Sequence, residues 1–143
     1  MNMKALLFVA ALTLSLPATA AAQEVKSARA DDVTFHWVEF TKFHPGKNDR
    51  ASDLSRKHFD PVDEEIGTQI ISVHLLTGDW DRIEVFKMQG GAADLGWRVS
   101  PDVAKFMNVL ARREGGMAAA QKLLDEYDSL VARKVVSIGH MHP

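Results

Sequence analysis

The chain has 143 residues, 46% hydrophobic and 25% charged, with 17 Lys+Arg against 19 Asp+Glu and no cysteine. Such a composition fits one ordinary globular domain and excludes a disordered or repetitive chain. A formal net charge of −2 offers no basic footprint, so nucleic acid is not an expected partner. The absence of Cys excludes disulfides, thiolate zinc sites, a Cys nucleophile and a lipid-modified N-terminal Cys.

At the N-terminus Lys4 supplies a positive charge ahead of the 12-residue apolar run Ala5–Leu16. The small residues of Pro17-Ala18-Thr19-Ala20-Ala21-Ala22 follow. This is the layout of a secretory signal peptide over residues 1–22, with cuts possible after Ala20 or Ala22. The run is shorter than the roughly 20 residues of a permanent membrane span. No later stretch approaches that length, so a soluble periplasmic or secreted protein is expected. Residues 23–33 are polar and aperiodic and predict a flexible leader.

The domain is expected over 34–143. Thr34–Phe43 (TFHWVEFTKF) is aromatic and β-branched on both parities, which predicts a strand covered on both faces. His44-Pro45-Gly46-Lys47 breaks the chain, and Asn48 or Asp49 can cap a helix with Leu54, His58, Val62 and Ile66 turned inward. Pro61 is expected to kink or split that helix, and Gly67 to end it. Thr68–Leu76 and Arg82–Met88 form a strand hairpin around Thr77-Gly78-Asp79-Trp80-Asp81. Ser100-Pro101-Asp102 starts a third helical segment that runs to about Arg113 and stops at Gly115-Gly116. A further helix carries Met117, Ala120, Leu124, Tyr127 and Val131 at helical spacing, and Arg133–Met141 is the last strand. The order β-α-β-β-α-α-β is the α+β, ferredoxin-like split βαβ plan.

With that order, the Lys42-x-x-Pro45-Gly46-Lys47 break and the Thr77-Gly78 hairpin, the chain from Thr34 to His142 resembles the dimeric α+β barrel superfamily. Its members include antibiotic-biosynthesis monooxygenase-like, EthD-like and NIPSNAP-like families. The resemblance implies a homodimer built through facing sheets, with a small pocket between sheet and helices in each subunit. Cofactor-independent oxygenases, haem-degrading enzymes and isomerases occur among the members. No catalytic motif of any one family matches this chain, so no residue role is carried over.

Four of the six His lie on or at the end of predicted strands: His36, His74, His140 and His142. With Lys42 opposite Lys134, His36 faces His140. With the hairpin centred on Asp79, His74 faces Glu84. With the first and third strands parallel and level at Thr34 and Arg82, His36 lies beside Glu84. These registers give one row, His140–His36–Glu84–His74, with neighbours about 5 Å apart. Imidazoles with a carboxylate on one face suit a divalent metal, and two His with one carboxylate suit non-haem iron. Without metal, His36 and Glu84 form an acid–base pair. The competing reading leaves these His at backbone or water partners, because a one-residue slip moves each to the other face.

Trp37, Trp97 and Tyr127 complete the expected pocket, with Trp97 at its mouth in a Gly-rich loop; core packing is the competing role for Trp37 and Tyr127. Trp80 is expected exposed or at a subunit contact, and Glu39 as a buried acid or a rim residue. Gly90-Gly91 and Gly115-Gly116 lack phosphate-loop spacing, and no GxSxG, HExxH or CxxC occurs. The expected function is an exported small-molecule-binding protein, with cofactor-independent oxygenase or isomerase chemistry on an apolar or aromatic compound. The alternatives are a non-catalytic binding or structural dimer and a haem- or metal-binding protein using the His/Glu row. No cofactor is named by the sequence, and whether the chain is an enzyme stays open.

Overall fold

A computed structural model of the protein describes residues 32–142. The signal peptide, both cleavage points and most of the leader lie outside the described residues. The elements are β1 (Thr34–Phe43), α1 (Asn48–Leu54), a π-helical turn (Ser55–Phe59), α2 (Asp60–Ile66), β2 (Ile70–His74) and β3 (Arg82–Lys87). A 3-10 turn (Gly91–Gly96), α3 (Pro101–Glu114), α4 (Met117–Leu130) and β4 (Val131–Met141) complete them. The fold is the expected α+β, ferredoxin-like arrangement, a four-stranded sheet in the order β2-β3-β1-β4.

Every neighbouring pair in this sheet is antiparallel, including β1 with β3. The parallel pairing expected for β1 and β3 does not occur. The helical crossover makes β2 parallel to β1, and the β2–β3 hairpin then turns β3 against both. Registers differ accordingly. Glu39 lies opposite Glu84, and His36 opposite Lys87. On the other flank His36 faces Gly139, one residue from the expected His140, which instead faces Phe35. In the hairpin His74 faces Arg82, and Ser72 faces Glu84. That two-residue shift keeps the side chains on their face, whereas the one-residue shift on β4 moves His140 to the opposite face from His36.

Between β1 and β2 the chain is helical from Asn48 to Ile66, with no break at Pro61. Pro61 sits in the first turn of α2, directly after the π-helical turn. Its missing N–H cannot bond one turn back, and the wider π register leaves that carbonyl free without a break. The expected Asn48 or Asp49 cap is absent: Lys47 holds the cap position and makes no side-chain cap bond. Gly67 ends α2 as expected, at φ 75°, where a side chain would be strained, and the Thr68 N–H returns to the Asp63 carbonyl at 2.9 Å. Ser100 caps α3 through Val103 N–H, with Pro101 in the first turn. α4 passes into β4 with no intervening residue, Leu130 closing the helix and Val131 opening the strand. His44 N–H pins that junction by donating to the Leu130 carbonyl at 2.9 Å.

Strand alternation divides the sheet residues between two faces. Trp37, Glu39, Thr41 and Phe43 of β1 point to the helices together with Arg82, Glu84 and Phe86 of β3. One end of this face is closed by Phe43, Ala51, Leu54, Tyr127 and Leu130. A second buried group, Val62, Val109, Leu110 and Ala120, packs the helices on one another. Leu54 and Leu110 are fully buried, each contributing about 2 kcal/mol. The helices do not close over the remaining length of the sheet, and a cavity lies there.

Candidate functional site

The cavity occupies about 930 Å³ between the helix-facing side of the sheet and the helical layer. Trp37, Phe59, Ile66, Phe86, Met88 and Phe106 make its apolar walls. Its polar groups converge from three directions: Glu39, Arg82, Glu84 and Lys134 from the sheet, Ser52, Ser55 and Asp63 from the α1–α2 segment, and Tyr127 from α4.

Arg82 is the centre of this set and is 2% exposed. It opens β3, and its guanidinium reaches between the helices. Nη1 donates to Ser55 Oγ at 3.1 Å and to Tyr127 Oη at 3.2 Å, while Nη2 donates to Ser52 Oγ at 3.0 Å. Nε is buried without a partner. Phe43 lies under the guanidinium, its ring centroid 5.3 Å away. Ser52 and Ser55 meet the same group because residues three apart share a helix face. All three hydroxyls are neutral, so the opposing charge comes from Glu84, whose Oε1 stands 3.6 Å from Nη1. That separation exceeds a hydrogen bond, and the pair stays open.

Two of the carboxyls, Glu84 and Asp63, are shifted above the ordinary carboxylate range. Burial pushes Glu84 up against the attraction of Arg82, with Glu39 opposite it adding repulsion. Burial also raises Asp63 to about 6, helped by the charges of Asp60 and Glu84. Tyr127 is pushed up to about 12 by burial and by Glu84 and Glu39, against Arg82, which keeps its hydroxyl intact at neutral pH. Glu39 is bound by Lys134 Nζ at 2.9 Å and receives the Thr41 hydroxyl at 3.2 Å. An apolar cavity with a fixed cation, a hydroxyl donor and carboxyls made more basic by burial can orient a polar group of a ligand and exchange a proton with it.

Of the residues singled out in the sequence, Trp37, His74, Glu84 and Tyr127 line this cavity. His74 is exposed at its edge, next to Arg82 rather than Glu84. His36 lies on the opposite face of the sheet, 7% exposed with Nδ1 unpartnered, so the His36–Glu84 pair is not brought together. His140 is exposed, against the rings of Phe35 and His142. The row His140–His36–Glu84–His74 therefore does not form; antiparallel β1–β3 pairing and the slip on β4 separate its members. Among the described residues no group of three or more His, Asp or Glu is placed to hold a metal ion. Trp97, the residue that follows the 3-10 turn, is 58% exposed and is not part of the cavity lining, so the expected place at the mouth is not the one it takes. Trp80 stacks on Phe40 at 5.7 Å with the Arg133 guanidinium 4.2 Å from its ring centroid.

Arg82, Asp63, Ser52 and Ser55 were not singled out by the sequence. Arg82 shares strand parity with Glu84, and Ser52 and Ser55 have same-face helical spacing, the only signals present.

No protein-family model matches the chain. No curated protein is significantly similar to it in sequence. Among solved structures it is similar to a NIPSNAP family protein of unknown function from Agrobacterium tumefaciens, with a TM-score of 0.53 and 10% identity. That match covers 78% of this chain and 91% of the other. A second Agrobacterium tumefaciens crystal structure matches at a TM-score of 0.51 and 11% identity, covering 76% and 92%. At such identities the likeness concerns the backbone alone: the chain has the ferredoxin-like α+β fold seen in NIPSNAP proteins.

Proposed function

We propose that the chain is an exported small-molecule-binding protein whose ligand, an apolar or aromatic compound, occupies the cavity beside Arg82 and Glu84. The single observation that carries this reading is a cavity of about 930 Å³ whose apolar walls surround an open ion pair between buried Arg82 and half-buried Glu84. A plain core would fill that volume and would not hold a charge pair at its centre. Cofactor-independent isomerase or oxygenase chemistry is the activity that suits a site of side-chain acids, a cation and a hydroxyl. Export follows from the three-part pattern of residues 1–22.

The outer face of the sheet supports a homodimer. Ile71, Val73 and Val135 lie there 42–56% exposed, an apolar surface that a second copy would cover. The test of the ligand reading is a panel of aromatic acids, ketones, phenols and amines, screened by saturation-transfer NMR on the mature chain. Binding that Phe59→Ala weakens is the expected result. Failure of every compound to bind, or binding indifferent to Phe59 and Phe86 substitutions, would sink the cavity as the site.

A further inference from the structure

Arg82 and Glu84 are two residues apart on β3, so both project from one face of the sheet into one cavity. Yet they remain 3.6 Å apart, the guanidinium held by other groups. Three hydroxyls from two helical segments fix the guanidinium, and they satisfy donors without cancelling its charge. Its Nε, in a side chain 98% buried, has no acceptor. A buried donor without a partner costs about 1–3 kcal/mol and awaits an acceptor that only a ligand or water can bring. Beside it stands a carboxylate stripped of much of its hydration, which makes it a stronger base than one in water.

The geometry points to a carbon acid as substrate: Arg82 receives the carbonyl oxygen of an apolar or aryl ketone, and Glu84 removes the proton from the adjacent carbon. This assignment rests on the small-molecule reading of the same cavity and names its chemistry. In the step the C–H bond breaks and its proton passes to a Glu84 carboxylate oxygen. The electron pair forms the C=C bond, and the carbonyl π pair moves onto oxygen as an enolate held by the Arg82 cation. Reprotonation by Glu84, at the same carbon or a conjugated one, restores a neutral ketone. No oxidant, metal or co-reactant is consumed. Preorganised charge where the oxyanion develops is the largest single contribution such a site can make. Tyr127, whose hydroxyl accepts from Arg82 and stays protonated, acts as a positioning residue.

The test uses the mature protein with phenylacetone and 2-indanone in D2O. Saturation transfer reports binding, and loss of the α-proton NMR signals reports exchange in the same tube. Wild type is expected to bind at least one ketone and to exchange its α-protons well above buffer alone. Glu84→Gln, close in shape, is expected to bind and to lose exchange roughly a hundredfold. If either ketone binds without exchange, or exchange survives in Glu84→Gln, the proton-transfer assignment is overturned while the cavity reading stands. It also falls if other aromatic compounds bind and neither ketone does. If no compound of any class binds, both fall together.

Discussion

The two faces of the sheet mix polar and apolar groups differently: the inner one sets charges among aromatic walls, and the outer one exposes aliphatic side chains among basic ones. Toward the helices, where a core is expected, β1, β3 and β4 present Glu39, Arg82, Glu84 and Lys134. Away from them, where solvent is expected, the same strands and β2 present Val38, Val85, Ile71, Val73 and Val135. A sheet with one covered face normally buries its apolar residues and exposes its polar ones. The contrast teaches that neither face is a simple core wall: the inner one carries charges among apolar residues, and the outer one leaves aliphatic side chains exposed. Packing stability comes instead from the closed end around Phe43 and Leu54 and from helix on helix around Val62 and Leu110.

Removing the cation should break this contrast most severely. Arg82→Met strands the Ser52, Ser55 and Tyr127 hydroxyls and leaves half-buried Glu84 without its cation, at an expected cost of about 3 kcal/mol in urea unfolding. Pairing it with Glu84→Leu should recover most of that loss, since two apolar groups replace two charges together. If the single substitution costs nothing, the inner face is an ordinary wall. On the outer face, Val73→Lys with Val135→Lys would place charges in the proposed dimer contact. Sedimentation is expected to show a wild-type dimer and a monomeric variant, a weakening of about 2–3 kcal/mol; an unchanged mass in both proteins refutes the contact.

A smaller effect sharpens the electrostatics of the inner face. Asp63 has a folded-state value of about 6 against an ordinary 3.8. Between these values the native chain keeps a proton that the unfolded chain releases, so stability falls as pH rises through the window and the full penalty stands above it. Asp63→Asn should therefore stabilise the protein by about 1 kcal/mol at pH 7, allowing for solvent screening, and by nothing below pH 3.8. The smallest effect belongs to the half-exposed Lys134–Glu39 pair. Lys134→Met should cost less than about 1 kcal/mol in the same unfolding assay.

What the sequence made legible follows from how local each determinant is. Gly67 and Ser100-Pro101 announce helix ends through their own backbone needs, and both act as read. The element order and fold class follow from such punctuation. Registers do not, because the hairpin's length and the bulge between Lys42 and Phe43 decide them, and one residue of slip exchanges faces. That is why Glu84 and Trp37 share the cavity face while His36 lies on the other one. Arg82 was illegible for a different reason. A lone arginine at a strand start reads as a solvated charge, and only the assembled α1 segment and α4 supply the hydroxyls that allow it to be buried.

The junction between α4 and β4 has a mechanical consequence. Helix and strand share the bond between Leu130 and Val131, and His44 clamps the turn. Tyr127 and Lys134, on either side of that bond, thus reach the cavity from one junction, so the helix and the strand are placed relative to each other by the same hydrogen bond. Across the cavity the α1–α2 segment makes its own contribution through the π-helical turn, whose first and last residues, Ser55 and Phe59, both line the site.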